Sequence, residues 1–220
     1  KFTEAITKGN KLAVQYPKDA LIRNILGSLY MRLGKVDQAI SNYDKAIELK
    51  PDYFEAFSNL GSLYNGLNDL SKATKHFEKA IEINPLFPQA HFNLANLLIK
   101  QKQINKAKKH YMASAVIDPN SLETNESLVE IFLRCKEWTA TKNHAERVFT
   151  LNSKSFITIF SLAQCHMRLE EYEKCAFFLR KAINLSPNSH NLYLQLGDAL
   201  DCIGVNDHSM SLFLKASKIK

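Results

Sequence analysis

This sequence is short of most things that catalysis or membrane insertion needs. Its 220 residues include one tryptophan, four cysteines, seven glycines and six prolines. No apolar run approaches the roughly 18 residues of a membrane-crossing helix, so no membrane association is expected. The cysteines, Cys135, Cys165, Cys175 and Cys202, form no CxxC pair, and Cys175 takes the place of a small buried residue, where a thiol behaves as a small hydrophobe. Unpaired thiols fit a reducing compartment, and the expected location is cytoplasmic. There is no glycine-rich phosphate loop and no HExxH. Cys165 and His166 are adjacent, and neighbouring side chains on a helix diverge by about 100°, so they make no nucleophile–base pair. The chain is read as non-enzymatic, without cofactor or metal.

Charge is abundant by contrast. The net charge is +7, and over half the excess falls in residues 88–121, where Lys100, Lys102, Lys106, Lys108 and Lys109 face Asp118 alone. Phosphate neutralisation by such a cluster would give steeply salt-dependent nucleic-acid binding. These lysines lack interleaved aromatics on which bases could stack, and they are read as the solvated side of a helix.

The strongest pattern is a period. Pro17, Pro51, Pro85 and Pro119 are 34 residues apart, Ser153 holds the next slot and Pro187 the one after. A fixed period of this length marks a stack of supersecondary units. In residues 54–87 the pattern reads Phe57, Leu60, Gly61, Tyr64, Ala73, Phe77, Ala80, Pro85. Residues 20–53 repeat it with Leu26, Gly27, Tyr30, Ala39, Tyr43, Ala46 and Pro51, and 88–121 with Leu94, Ala95, Leu98, Ala107, Tyr111 and Pro119. Residues 156–189 carry Leu162, Ala163, Cys175, Leu179, Ala182 and Pro187; 190–220 carry Tyr193, Leu196, Gly197, Phe213 and Ala216. Each unit reads as two helices of about 14 residues. Gly34, Asn68 and Gly204 fall at the turn between them, where a positive φ is tolerated. Gly61 and Ala73 mark close helix approach, Tyr64 and Phe77 fill the space beside them, and Pro85 stops the second helix.

These residues resemble the tetratricopeptide repeat family, whose pattern is W-x2-L-G-x2-Y, A-x3-F and P. The resemblance implies an all-α fold, an α-solenoid coiled into a right-handed superhelix, spanning residues 1–220 as one elongated domain. Residues 1–19 are then the second half of a unit, with Ala5 in its small slot, followed by units at 20–53, 54–87, 88–121, 122–155, 156–189 and 190–220. Unit 122–155 is degenerate: Thr141 replaces the small residue, Ala145 the aromatic and Ser153 the proline. Trp138 is expected to buttress an under-filled hairpin; the competing reading is a hinge. Asn206 and Ser209 occupy apolar and alanine slots. The half unit at the start and the missing polar cap at the end suggest a piece of a longer polypeptide.

The resemblance also implies a concave face, lined by the first helix of each unit, that takes a partner's extended peptide or helix. The slot before the conserved leucine reads Ile25, Asn59, Asn93, Ser127, Ser161 and Gln195. This is partly similar to the asparagine ladder of O-linked N-acetylglucosamine transferases; an amide offers both donors and an acceptor to a peptide backbone. A solvated polar face is the alternative. Three residues on, the column reads Ser28, Ser62, Asn96, Glu130, Gln164 and Asp198. Glu123, Glu126 and Glu130 share one helix face, and Asp201 adds charge further along. Phe92, Phe160, Ile99, Leu133 and Met167 are candidate apolar anchors, with Arg32, Lys100, Arg134 and Arg168 at the rim. His76, His110 and His144, 34 residues apart, would form an exposed column. Units stacked about one helix diameter apart, roughly 10 Å, are too distant for one zinc ion, which needs bonds near 2.0–2.1 Å.

The reading is thus a protein-interaction module, with the substrate-recruiting arm of a larger glycosyltransferase or sulfotransferase as the alternative. A chaperone carboxylate clamp is not expected, because its lysine slots hold Asn24, Ser58, Phe92, Glu126, Phe160 and Leu194. Calorimetry with an acidic chaperone C-terminal peptide is expected to show no micromolar binding, and such binding would refute this assignment.

Overall fold

The structure, a computed structural model, describes residues 2–219. Those residues form helices joined by short turns, grouped in two compact bodies, one ending at Ile117 and the other starting at Asp118. The first contains α1 (Phe2–Gln15), α2 (Ala20–Arg32), α3 (Val36–Leu49), α4 (Phe54–Gly66), α5 (Leu70–Ile83), α6 (Pro88–Lys100) and α7 (Ile104–Ile117). The second contains α8 (Leu122–Arg134), α9 (Trp138–Leu151), α10 (Phe156–Arg168), α11 (Tyr172–Leu185), α12 (His190–Cys202) and α13 (Asn206–Ala216). Within each body, helices pack on their sequence neighbours, and first helices also touch one another: α2 with α4, α4 with α6, and α8 with α10. This is α-solenoid packing of helical hairpins, as the period predicts.

The turn inside each hairpin is the same device six times. Gly34, Asn68, Lys102, Lys136, Glu170 and Gly204 all have positive φ, between 58° and 79°. After each of them, a backbone N–H reaches back five residues: Lys35 to Tyr30, Asp69 to Tyr64, Gln103 to Leu98, Glu137 to Phe132, Glu171 to His166 and Val205 to Leu200, at 2.8–3.0 Å. That is the Schellman closure of a helix C-terminus, which satisfies carbonyls left without intrahelical partners. Three of the six positions hold Lys or Glu, which cannot be read from the sequence as left-handed residues.

Between hairpins, prolines end the second helices, and the carbonyls of three of them are used. His91 Nε2 donates to the Pro85 carbonyl (3.1 Å), Asn125 Nδ2 to that of Pro119 (3.0 Å) and the Tyr193 hydroxyl to that of Pro187 (3.0 Å). At Ser153 the helix still stops. Asn152 N–H bonds Val148, and Ser155 N–H closes a turn on Asn152 as Phe87 N–H does on Asn84.

Within the hairpin, facing residues trade volume. Gly27 meets Tyr43, Gly61 meets Phe77 and Gly197 meets Phe213 so closely that an added Cβ would lie 2.4–2.7 Å from a ring carbon. The equivalent pairs are Ala95 with Tyr111, Ala163 with Leu179 and Val129 with Ala145, all buried. In unit 122–155 the larger residue of the pair, Val129, stands on the first helix opposite the small Ala145. Thr141, Cys175 and Ser209 are likewise buried in the small-residue slot, and Ser209 donates to Asp201 Oδ1 (2.6 Å). Trp138 is half-buried, with the Arg168 guanidinium 5.7 Å from its ring centroid.

The histidine column is a correction. His76, His110 and His144 are not exposed but half-buried between paired helices. His76 stacks on Tyr64 at 5.4 Å and His144 on Phe132 at 5.5 Å. His110 meets His91, with the two Nδ1 atoms 3.1 Å apart. In the same slot one period after His144 stands Phe178, so the ring face is what the position requires. Burial holds the pKa of all three histidines, and of buried His166, below the usual 6.5.

Two outcomes follow. Gly61→Ala is expected to lower stability by about 1–3 kcal/mol through overpacking. Adding Phe77→Leu, the partner that Ala163 has in Leu179, should recover part of this loss in a double-mutant cycle of urea unfolding; strict additivity would refute the pairing. The histidines set a pH dependence. Their folded pKa lies below the unfolded value, so the unfolded chain binds more protons as pH falls below about 6.5. Stability contributed above that pH is expected to fall between pH 7 and 5, and His76→Phe should flatten the slope in urea midpoints; an unchanged slope would contradict the burial of His76.

Candidate functional site

The expected surface is the row of first helices, and the structure shows how much of it the chain uses itself. In the first body, Asp19 caps α2 by accepting from the backbone N–H groups of Leu21 and Ile22, and Pro88 opens α6. Asn59 Nδ2 donates to Asn24 Oδ1 (2.9 Å), and Asn24 Nδ2 donates to the Tyr53 hydroxyl (3.4 Å). Asn93 Nδ2 donates to Ser62 Oγ (3.4 Å) while Asn93 Oδ1 accepts from Gln89 (3.0 Å). Lys100 Nζ donates to Asn65 Oδ1 (2.8 Å). The amides thus form a ladder between the chain's own first helices.

That ladder is incomplete. An amide side chain has two donor hydrogens and an acceptor oxygen. Among the described residues, Asn59 keeps its Oδ1 and one N–H uncommitted, and Asn93 keeps one N–H. Asn96 Oδ1 accepts from the Tyr111 hydroxyl, which leaves its amino group open. All three residues are half-buried. Phe92 packs edge-on against Tyr111, with centroids 5.7 Å apart, so much of its ring serves its own hairpin.

The second body offers different chemistry. Glu123, Glu126 and Glu130 are exposed on α8. Glu130 pairs with Arg134 at 2.6 Å, an exposed contact of the kind worth little. Ser127 spends its hydroxyl on the Glu123 carbonyl (2.9 Å). Ser161 is 3% exposed and lines no open surface. Gln164 and Gln195 are half-buried on α10 and α12. Phe160, Met167 and Leu133 are half-buried and pack against the cores of this body.

The rim cations are engaged locally: Arg32 lies 5.8 Å from the Phe2 ring centroid and Arg168 lies over Trp138. Cys165 and His166 diverge as their adjacency predicts. Burial raises the Cys165 thiol to about 11, and His166 Nδ1 contacts Glu171 Oε2 (2.8 Å). Hydrogen bonds from Lys142, Lys174 and His166 lower the Glu171 carboxyl to about 2. Among the described residues, no three His, Cys, Asp or Glu side chains could share a metal ion. Nor is any helix there long and apolar enough to cross a membrane.

One residue escaped the sequence reading. Glu55, in the first turn of α4, has its Oε2 buried with no hydrogen-bond partner among the described residues. It borders an open depression of about 970 Å³ between segments 15–21 and 49–55. The available signal was its slot, two periods before Glu123.

Comparison with known proteins agrees with the geometry. Tetratricopeptide repeat models match residues 54–87, 76–109 and 158–189, and a TPR repeat model matches 27–67. No curated protein matches the sequence. Among solved structures, YrrB, described as a TPR protein with an unusual peptide-binding site, has TM-score 0.66 at 20% identity, covering 84% of this chain and 94% of its own. A MamA protein has TM-score 0.61 at 19% identity, covering 75% and 90%. The pilF protein of Pseudomonas aeruginosa has TM-score 0.60 at 18% identity, covering 90% of each. These likenesses are likenesses of fold. Repeat models in both bodies, set on hairpins of the required period and packing, place this chain in the tetratricopeptide repeat family.

Proposed function

We propose that the chain is a protein-interaction scaffold whose first-helix face takes an extended segment of a partner protein. The observation that carries this reading is the incomplete amide ladder of α4 and α6. Asn59, Asn93 and Asn96 stand at the helical period on neighbouring helices and retain donors, plus one acceptor oxygen on Asn59. A peptide backbone supplies both complements at each residue, and an extended segment places them at regular intervals. The hydrogen bonds already made hold the amides in place, so little side-chain entropy remains to be lost on binding. In the second body, the exposed carboxylates Glu123 and Glu126 favour a basic stretch of such a segment. The peptide-binding site named for YrrB supports a peptide ligand for this fold, and the residues proposed here are this chain's own.

The test compares the native chain with Asn59→Ala/Asn93→Ala as bait in extracts of the source cell. A partner retained by the native chain is expected to be lost or weakened at least tenfold by the double variant, with helicity by circular dichroism unchanged. Equal retention by a folded variant would remove the first-helix face as the site.

A further inference from the structure

The partnerless carboxylate of Glu55 points to a ligand. A carboxylate oxygen hidden from water and given no donor is costly, and among the described residues Glu55 Oε2 is the one buried side-chain nitrogen or oxygen in that condition. Glu55 is among the residues lining an open depression, with Tyr16, Leu21, Leu49 and Tyr53 and further charged groups. Those charged groups are Lys18, Asp19, Lys50 and Glu55, and two of them have work already. Asp19 Oδ1 accepts from the first turn of α2. The Lys50 ammonium sits 5.1 Å from the Tyr53 ring centroid, so that ring face is one a cation can use. Glu55 Oε2 is the buried acceptor of the lining without a partner among the described residues.

We infer that this depression is a pocket for a basic side chain, an arginine, of the bound segment. A guanidinium supplies several donors in one plane and lies well on aromatic rings. Its methylene stem suits the apolar walls of Leu21 and Leu49. An anionic ligand would be drawn by Lys18 but would leave Glu55 Oε2 unpaired. Glu55 lies one turn before Asn59, with Cβ atoms of such a pair about 5–6 Å apart. A segment whose backbone meets Asn59 therefore passes within reach of the pocket. The inference rests on the peptide reading above and adds the chemistry of the partner.

The probe is N-acetyl-arginine N-methylamide, titrated into the ¹⁵N-labelled chain, with the citrulline analogue as the neutral isostere and the glutamate analogue as the anion. Saturable shifts are expected in residues 15–21 and 49–55, at least tenfold weaker for citrulline and absent for glutamate. Glu55→Gln is expected to abolish the preference for arginine while melting no lower than the native chain, because it removes a partnerless charge. Equal binding of citrulline, binding of glutamate at these residues, or undiminished arginine binding by Glu55→Gln would overturn the inference. So would a Glu55→Gln chain that melts lower, since Glu55 would then be structural. No shift with arginine in a folded chain also overturns it, while loss of partner by the Asn59/Asn93 variant would still stand; the two readings fail separately.

Discussion

The closeness of paired helices is the constraint on which the other features depend. At one level of five of the six hairpins a small residue on the first helix faces a larger one on the second, and in the glycine-bearing ones no room remains for a methyl group. This contact sets the distance between the helices. It also makes the turn tight, which explains the recurrence of one backbone conformation at Gly34, Asn68, Lys102, Lys136, Glu170 and Gly204. Where the small residue is Val129, the opposite residue shrinks to Ala145.

A second consequence concerns polarity. First helices lie beside one another, so polar side chains on their shared side are within reach of the next helix. Asn59 with Asn24, Asn93 with Ser62 and Lys100 with Asn65 all exploit this. The same residues that could hold a peptide therefore also hold neighbouring hairpins in register. On the proposed reading, binding and stability draw on the same side chains here. What remains for a partner is capacity the ladder leaves unused, together with Glu55, which the ladder does not satisfy. The histidines sit on the other side of this balance: half-buried against rings, they are packing elements, and the Nδ1 atoms of His110 and His144 meet His91 and Asn125 inside the hairpin.

The fold was legible because its signals are local and periodic. Pro51, Pro85 and Pro119 break helices wherever they stand, and Leu60 with Phe77 mark buried stripes by spacing alone. The site was legible only in part. Asn59, Asn93 and Asn96 could be placed on one face, but whether an amide is spent or spare depends on a neighbour 15 to 35 residues away. Ser161 occupies a ladder slot yet is buried, and His76 looks solvated by type yet is stacked on Tyr64. Lys102, Lys136 and Glu170 adopt a left-handed conformation that their side chains do not advertise, because the turn they close is imposed by the helices on either side.

By itself the sequence determined the helical hairpins and their buried stripes, since each follows from residues within one period and from helix geometry. Tertiary structure alone decided which polar groups are consumed between hairpins, and that, among the described residues, one buried carboxylate oxygen is left without a donor. Those are properties of pairs distant in sequence, and no single residue or spacing carries them.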